Sequence, residues 1–151
     1  MRTRRLVLLV CAGVAVLAGV LVVGLLPTRV DGGVEHQVRA FVDGLRAAGF
    51  TWIDYDSVDF VANVGFFVPI GLIASLLLPW RMSWLAVPIG ALLSGAIEFG
   101  QYLFLPDRYA SPTDVLANTI GTVLGTLVGL ALRSIRRRAA WRRSARRSAP
   151  R

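Results

Sequence analysis

The sequence predicts an all-α fold. It is a four-helix integral membrane bundle with both termini cytoplasmic, and a short amphipathic helix lies on the outer face between the first and second spans. Three observations carry this. Four apolar stretches are each long enough to cross the ~30 Å hydrocarbon core of a bilayer at ~1.5 Å per helical residue. Together they hold 80 of the 151 residues. Only 17% of residues are charged, against 55% hydrophobic, and all charges but Glu98 lie outside the stretches, sorted by sign. Lipid offers the backbone no hydrogen bonds, so each stretch must satisfy its own amides and carbonyls as a helix.

The first stretch, 6–26, has 21 residues and no charge. It is longer than the apolar core of a signal peptide, and no A-x-A site follows it. Cys11 follows Leu8-Leu9-Val10 rather than the small residue of a lipoprotein site. The second, 60–78, is interrupted only by Asn63, Ser75 and Pro69. The third, 84–105, contains Glu98 and Gln101, and the fourth, 115–132, contains Asn118. Between the first two, Val34, Val38, Phe41 and Leu45 recur at i, i+4, i+7 and i+11, with Glu35, Arg39, Asp43 and Arg46 on the other side. Gly49 suits the C-cap of such a helix, which would lie on the outer interface with His36 on its polar side.

Charge sets the orientation. The segments before the first span, between the second and third, and after the fourth hold 13 Arg and no acid. The other two, 27–59 and 106–114, hold four Arg and eight acids. The positive-inside rule then places both termini in the cytoplasm. Residues 1–132 read as one four-span membrane domain and 133–151 as an Arg-rich cytoplasmic tail. That tail continues a membrane helix, so its arginines and Trp141 suit anionic inner-leaflet lipids rather than nucleic acid. All 17 basic residues are Arg, with one His and one Cys. That leaves no Lys nucleophile, no His-pair or Cys-cluster zinc motif and no Ser-His-Asp triad within the spans. No cofactor is predicted.

Polar side chains inside a membrane are costly and tend to face the bundle. Glu98 and Gln101 share a face with Gly90 and Ser94 near the outer end of the third span. Asp59-Phe-Val-Ala-Asn63 and Asp114-Val-Leu-Ala-Asn118 repeat the pattern D-x-x-A-N at an offset of 55, at the outer ends of two parallel spans. The acids have a simpler reading as helix N-terminal residues. Ser111-Pro112-Thr113-Asp114 places Ser at the N-cap, Pro at N1 and an acid at N3, and Asp56 and Asp59 share that spacing. Capping does not account for Asn63, Asn118 or Glu98. Asp114, Asn118, Gly121, Gly125 and Gly129 read as one stripe on the fourth helix, whose small residues permit close helix contact.

Asn63-Val-Gly-Phe-Phe67-Val-Pro69-Ile-Gly71 resembles the N-x-x-x-F-x-P-x-G signature of the VanZ-like membrane proteins. Glu98-x-x-Gln101, Arg108, and Asp114-x-x-x-Asn118-x-x-Gly121-x-x-x-Gly125 resemble that family's second block in order. Asp107 departs from it, since many members have Gly before the Arg. The resemblance is strongest over 56–130. It implies a multi-pass protein of the bacterial cell membrane, with founding members tied to resistance to teicoplanin-type glycopeptides. The polar residues then suggest an outer-leaflet pocket for a lipid-linked cell-envelope intermediate, another headgroup-bearing molecule or a glycopeptide. Arg108 would grip phosphate, Asn63, Gln101 and Asn118 would bind polar groups, and Glu98 and Asp114 are the candidate catalytic carboxylates. The alternative is a non-enzymatic scaffold or assembly partner of an envelope enzyme.

Overall fold

The computed structural model describes residues 2–25, 31–105 and 111–147. Among them the chain is all helical. α1 spans Arg2–Leu25, α2 Asp31–Ala47, α3 Tyr55–Leu77, α4 Ala86–Phe104 and α5 Pro112–Arg147, with a 3-10 segment at Trp80–Leu85 between α3 and α4. Four of these regions are long and apolar enough to cross a membrane.

Helix α3 starts earlier than its apolar run. Asp54 caps it, accepting hydrogen bonds from the backbone N–H of Ser57 at 2.8 Å and from the Ser57 hydroxyl at 2.5 Å. The cap is thus Asp54 rather than Asp56, and Asp59 is an exposed residue of the second turn. The Ser57 hydroxyl, then its amide, hold the Asp54 carboxyl below the usual carboxylate range. A depressed carboxylate supports its helix above its unfolded pKa and loses that support as pH falls through the folded value. At the other end Leu78 is extended, φ −67° and ψ 151°, as expected before Pro79. Pro69 sits inside α3 without ending it. The predicted third span is one apolar region over Trp80–Phe104 that opens as 3-10 helix, because Trp84 and Leu85 belong to that segment. Pro88 then falls in the first turn of α4, where no N–H is missed.

The bundle is organised about α5, which packs most extensively on α3 and next on α4. Gly121 faces the Val64 carbonyl, Gly125 the Val68 carbonyl and Gly129 the Ser75 hydroxyl, so α3 and α5 run parallel with backbones nearly touching. Gly71 returns the contact from α3 against the Thr122 backbone. Helix α4 is antiparallel, with Gly90 against the Thr122 side chain and Ser94 against Asn118. The predicted single stripe on α5 is therefore two faces: its glycines meet α3, while Asn118 and Thr122 meet α4. Helix α1 is peripheral, with 6% of its apolar window buried against 39% for α5. It packs on α3 and α4 but not on α5. Val20, Phe67 and Ile97 form the small apolar core, while large side chains such as Leu92 and Phe104 point outward.

Helix α2 ends as predicted. Gly49 adopts φ +102°, Phe50 N–H donates to Leu45 C=O and Gly49 N–H to Arg46 C=O, each at 3.0 Å, the paired bonds of a Schellman motif. Arg39 stacks over the Tyr55 ring, 5.1 Å from its centroid, joining α2 to the start of α3. The buried face is Val42 flanked by half-buried Val38 and Leu45, and Phe41 is exposed. The i, i+4, i+7 stripe is thus centred on Val42, which the predicted stripe omits. His36 is exposed, and Val34 lies outside the residues whose side chains are described.

Helix α5 runs without a break past residue 132. Arg133 donates to the Ser83 hydroxyl at 3.0 Å, to the Leu78 carbonyl at 2.7 Å and to the Leu76 carbonyl. Those are carbonyls left over at the C-terminal end of α3. Ser83, fully buried, donates in turn toward the Ser75 carbonyl at 3.2 Å. Arg133 thus belongs to the bundle rather than to a separate tail.

The glycine contacts predict opposite outcomes for two similar substitutions. Gly125→Ala sets a methyl against the Val68 carbonyl and forces α3 away, with an expected loss of ~1–3 kcal/mol. Gly95→Ala on α4 meets open space and gains helix propensity, so it should be neutral or stabilising by up to ~1 kcal/mol. Melting of the two variants in detergent checks the pair.

Candidate functional site

Gly90, Ser94, Glu98 and Gln101 recur along one face of α4, and all four are buried. This is the predicted polar stripe, and each polar member has a partner on another element. The Asn118 side-chain amide donates to the Ser94 hydroxyl at 2.8 Å, tying α5 to α4. The Gln101 amide donates to the Gly24 carbonyl at 2.8 Å, holding the end of α1. Glu98 accepts the backbone N–H of Ser111 at 2.8 Å, just before α5 begins.

That last contact places a carboxylate, 8% exposed, at a helix N-terminus. Unpaired amides and the macrodipole make such an end electropositive, equivalent to about half a positive charge. Half-buried Asp114 lies in the first turn of α5, so two acids serve one helix end. The Ser111 carbonyl accepts the first helical bonds, from the N–H of Asp114 at 3.0 Å and of Val115 at 3.4 Å. The Asn118 carbonyl accepts the Thr122 hydroxyl at 2.9 Å. Its side-chain oxygen is different. Asn118 Oδ1 is buried with no hydrogen-bond partner among the described residues, as is Thr126 Oγ1 deeper along α5. A buried polar atom left so costs ~1–3 kcal/mol.

Of the predicted site residues, Glu98, Gln101, Asp114 and Asn118 gather at one end of the bundle. Asn63 is half-buried on α3, and its D-x-x-A-N echo does not give it the setting of Asn118. Arg108 and Asp107 lie outside the described residues. Glu98's partner at Ser111 was missed by sequence reasoning, which looked for a charged side chain. The signal was present, because a helix N-terminus predicted at Ser111 is itself a positive partner. Among the described residues, no group of three or more His, Cys, Asp or Glu is placed to hold a metal ion.

With this geometry in hand, comparison with known proteins gives one family. The VanZ/LLP1 family model matches residues 14–133, and the chain belongs to that family. The match extends the predicted 56–130 core. It takes in α2, the second half of α1 and Arg133, although the first span and outer segment lie outside the motif blocks. No curated protein and no solved structure matches the chain.

The α4–α5 bond is measurable as a coupling. In a double-mutant cycle of Ser94→Ala and Asn118→Ala, read by detergent melting, the two should be non-additive by ~0.6–2 kcal/mol. Strict additivity would remove this bond from the account of the bundle.

Proposed function

We propose that this VanZ/LLP1 family member is a four-span protein of the bacterial cell membrane with both termini in the cytoplasm. Its Glu98 end then lies in the outer leaflet, where it takes the polar head of a lipid-linked or headgroup-bearing cell-envelope molecule. Glu98 and Asp114 are the carboxylates of that site, Asn63, Gln101 and Asn118 orient polar groups of the ligand, and Arg108 grips phosphate. The observation that carries this reading is the buried, unpartnered side-chain oxygen of Asn118, one turn of α4 from Glu98 by way of Ser94. Thr126 Oγ1 is likewise unpartnered deeper along α5, but Asn118 lies one turn from Asp114 and, through Ser94, one turn from Glu98. Glu98 is the candidate general acid or base, and susceptibility to a teicoplanin-type glycopeptide is the cellular phenotype to measure.

The second reading, a non-enzymatic scaffold for an envelope enzyme, is favoured by Gln101. Its amide is occupied by the Gly24 carbonyl and holds α1 in place. The two readings separate on substitutions that keep the hydrogen bonds. Glu98→Gln retains an acceptor for Ser111 N–H and removes the charge. Arg108→Lys retains the charge and removes the planar fork. In the ligand reading both abolish crosslinking to a photoreactive lipid headgroup and the envelope phenotype, while melting stays within a few degrees of the parent. In the scaffold reading wild type is not crosslinked and co-purifies with an envelope enzyme.

Orientation is tested separately. Reporter fusions after Leu45 should be active outside the cytoplasm, and fusions after Arg81 only inside. A cytoplasmic signal after Leu45 would overturn the outer-leaflet placement.

A further inference from the structure

The opposite end of the bundle holds a cavity of about 390 Å³ that the reading above does not use. It lies where the start of α1 faces α5, two helices that do not pack on each other. Leu6 and Leu9 of α1 and Leu76 of α3 give it an apolar wall, and Trp80 adds a half-exposed ring. Arg5 comes from α1 and Arg136 and Arg137 from α5. Arg133 also reaches the cavity, but its guanidinium is committed to Ser83 and the end of α3. Arg137 lies over the Trp80 ring, 5.5 Å from its centroid, so its charge is held beside that ring.

No acid lines this cavity. None exists in the sequence from 1 to 30, from 60 to 97 or from 115 to 151, which supply every helix at this end. Among the described residues no acidic side chain therefore compensates the guanidinium charge, beside an apolar wall at the edge of the span. An amphiphile with an anionic head meets both demands. Phosphate oxygens suit several convergent arginine forks, and an acyl chain can follow the exposed Leu6 and Val10 face of α1. Trp80 stands where tryptophan is enriched, at headgroup depth.

We infer that this cavity is a binding site for the phosphate of an anionic phospholipid headgroup, read by Arg5, Arg136 and Arg137. It differs from general attraction of a basic tail to a charged leaflet, worth ~1 kcal/mol per Arg wherever the Arg sits. The site depends on which arginines are present and on their shape.

The test uses the full chain in nanodiscs of equal phosphatidylglycerol and phosphatidylcholine, with retained lipid read by native mass spectrometry. Wild type should retain phosphatidylglycerol over phosphatidylcholine by about tenfold. Arg5→Gln with Arg136→Gln should bring retention to parity, while Arg146→Gln with Arg147→Gln should keep it within about twofold of wild type. Equal losses in the two pairs would overturn the site and leave only diffuse attraction. Arg5→Lys with Arg136→Lys keeps every charge and guards against unfolding. It should still lose at least about threefold, and retention equal to wild type would overturn the fork-based reading. Added inorganic phosphate should not displace the lipid more than sulfate at matched ionic strength. Selective displacement would mean a free-phosphate site and would overturn the lipid assignment. No selectivity in wild type would overturn the proposal outright.

Discussion

Where Gly121 meets the Val64 carbonyl and Gly125 meets the Val68 carbonyl, α5 puts no side chain between itself and the α3 backbone. Within lipid there is little hydrophobic gain from helix association, because the tails are as apolar as leucine. What remains is close backbone contact and the hydrogen bonds it permits. The largest fully buried side chains are correspondingly small and polar: Thr122, Thr126, Ser75, Ser83 and Ser94. The helices are near enough for hydroxyls to bridge them and too near for leucine. Bulky apolar residues are displaced to the outside, where lipid is their solvent.

This spacing places the polar residues. Gly90 on α4 lets the Thr122 side chain in, and the same approach brings Asn118 within 2.8 Å of Ser94. Glu98, one turn further along α4, then stands at the start of α5, and Gln101 reaches α1. The candidate site is thus a product of small residues deeper in the bundle. A methyl on Gly125 or Gly121 would act on the site indirectly, through the register of α5. Loss of activity in such variants would say nothing about chemistry.

The parts of this arrangement differ in how legible they were. Spans and their order follow from apolar length, and the end of α2 from Gly49, because each rests on local chemistry. The α4 stripe follows from helical period alone. The division of α5 into two faces does not, since a stripe is compatible with one neighbour or two, and the count depends on where α3 and α4 sit. The start of α3 slipped for a local reason: Asp54 and Asp56 both precede Ser-containing turns, and only Asp54 reaches the Ser57 amide. Arg133 read as tail because it opens an arginine run. Its role depends on the helix ending at Leu77 across the bundle.

Glu98 and Arg133 solve one problem with opposite charge. A helix ends with unpaired amides at one terminus and unpaired carbonyls at the other, and neither finds partners in lipid. Glu98 of α4 meets the amide before α5, and Arg133 of α5 meets the carbonyls at the end of α3. Each charge is also opposite in sign to the partial charge of the helix end it serves. Because α3 and α5 are parallel, their amide ends share one side of the bundle and their carbonyl ends the other. Acid therefore belongs on the first side and arginine on the second. The same sorting is what the positive-inside rule reads as orientation. In this bundle the charges that predict the topology also finish its helices, so the carboxylate end and the arginine end are separated by the fold itself before any ligand is considered.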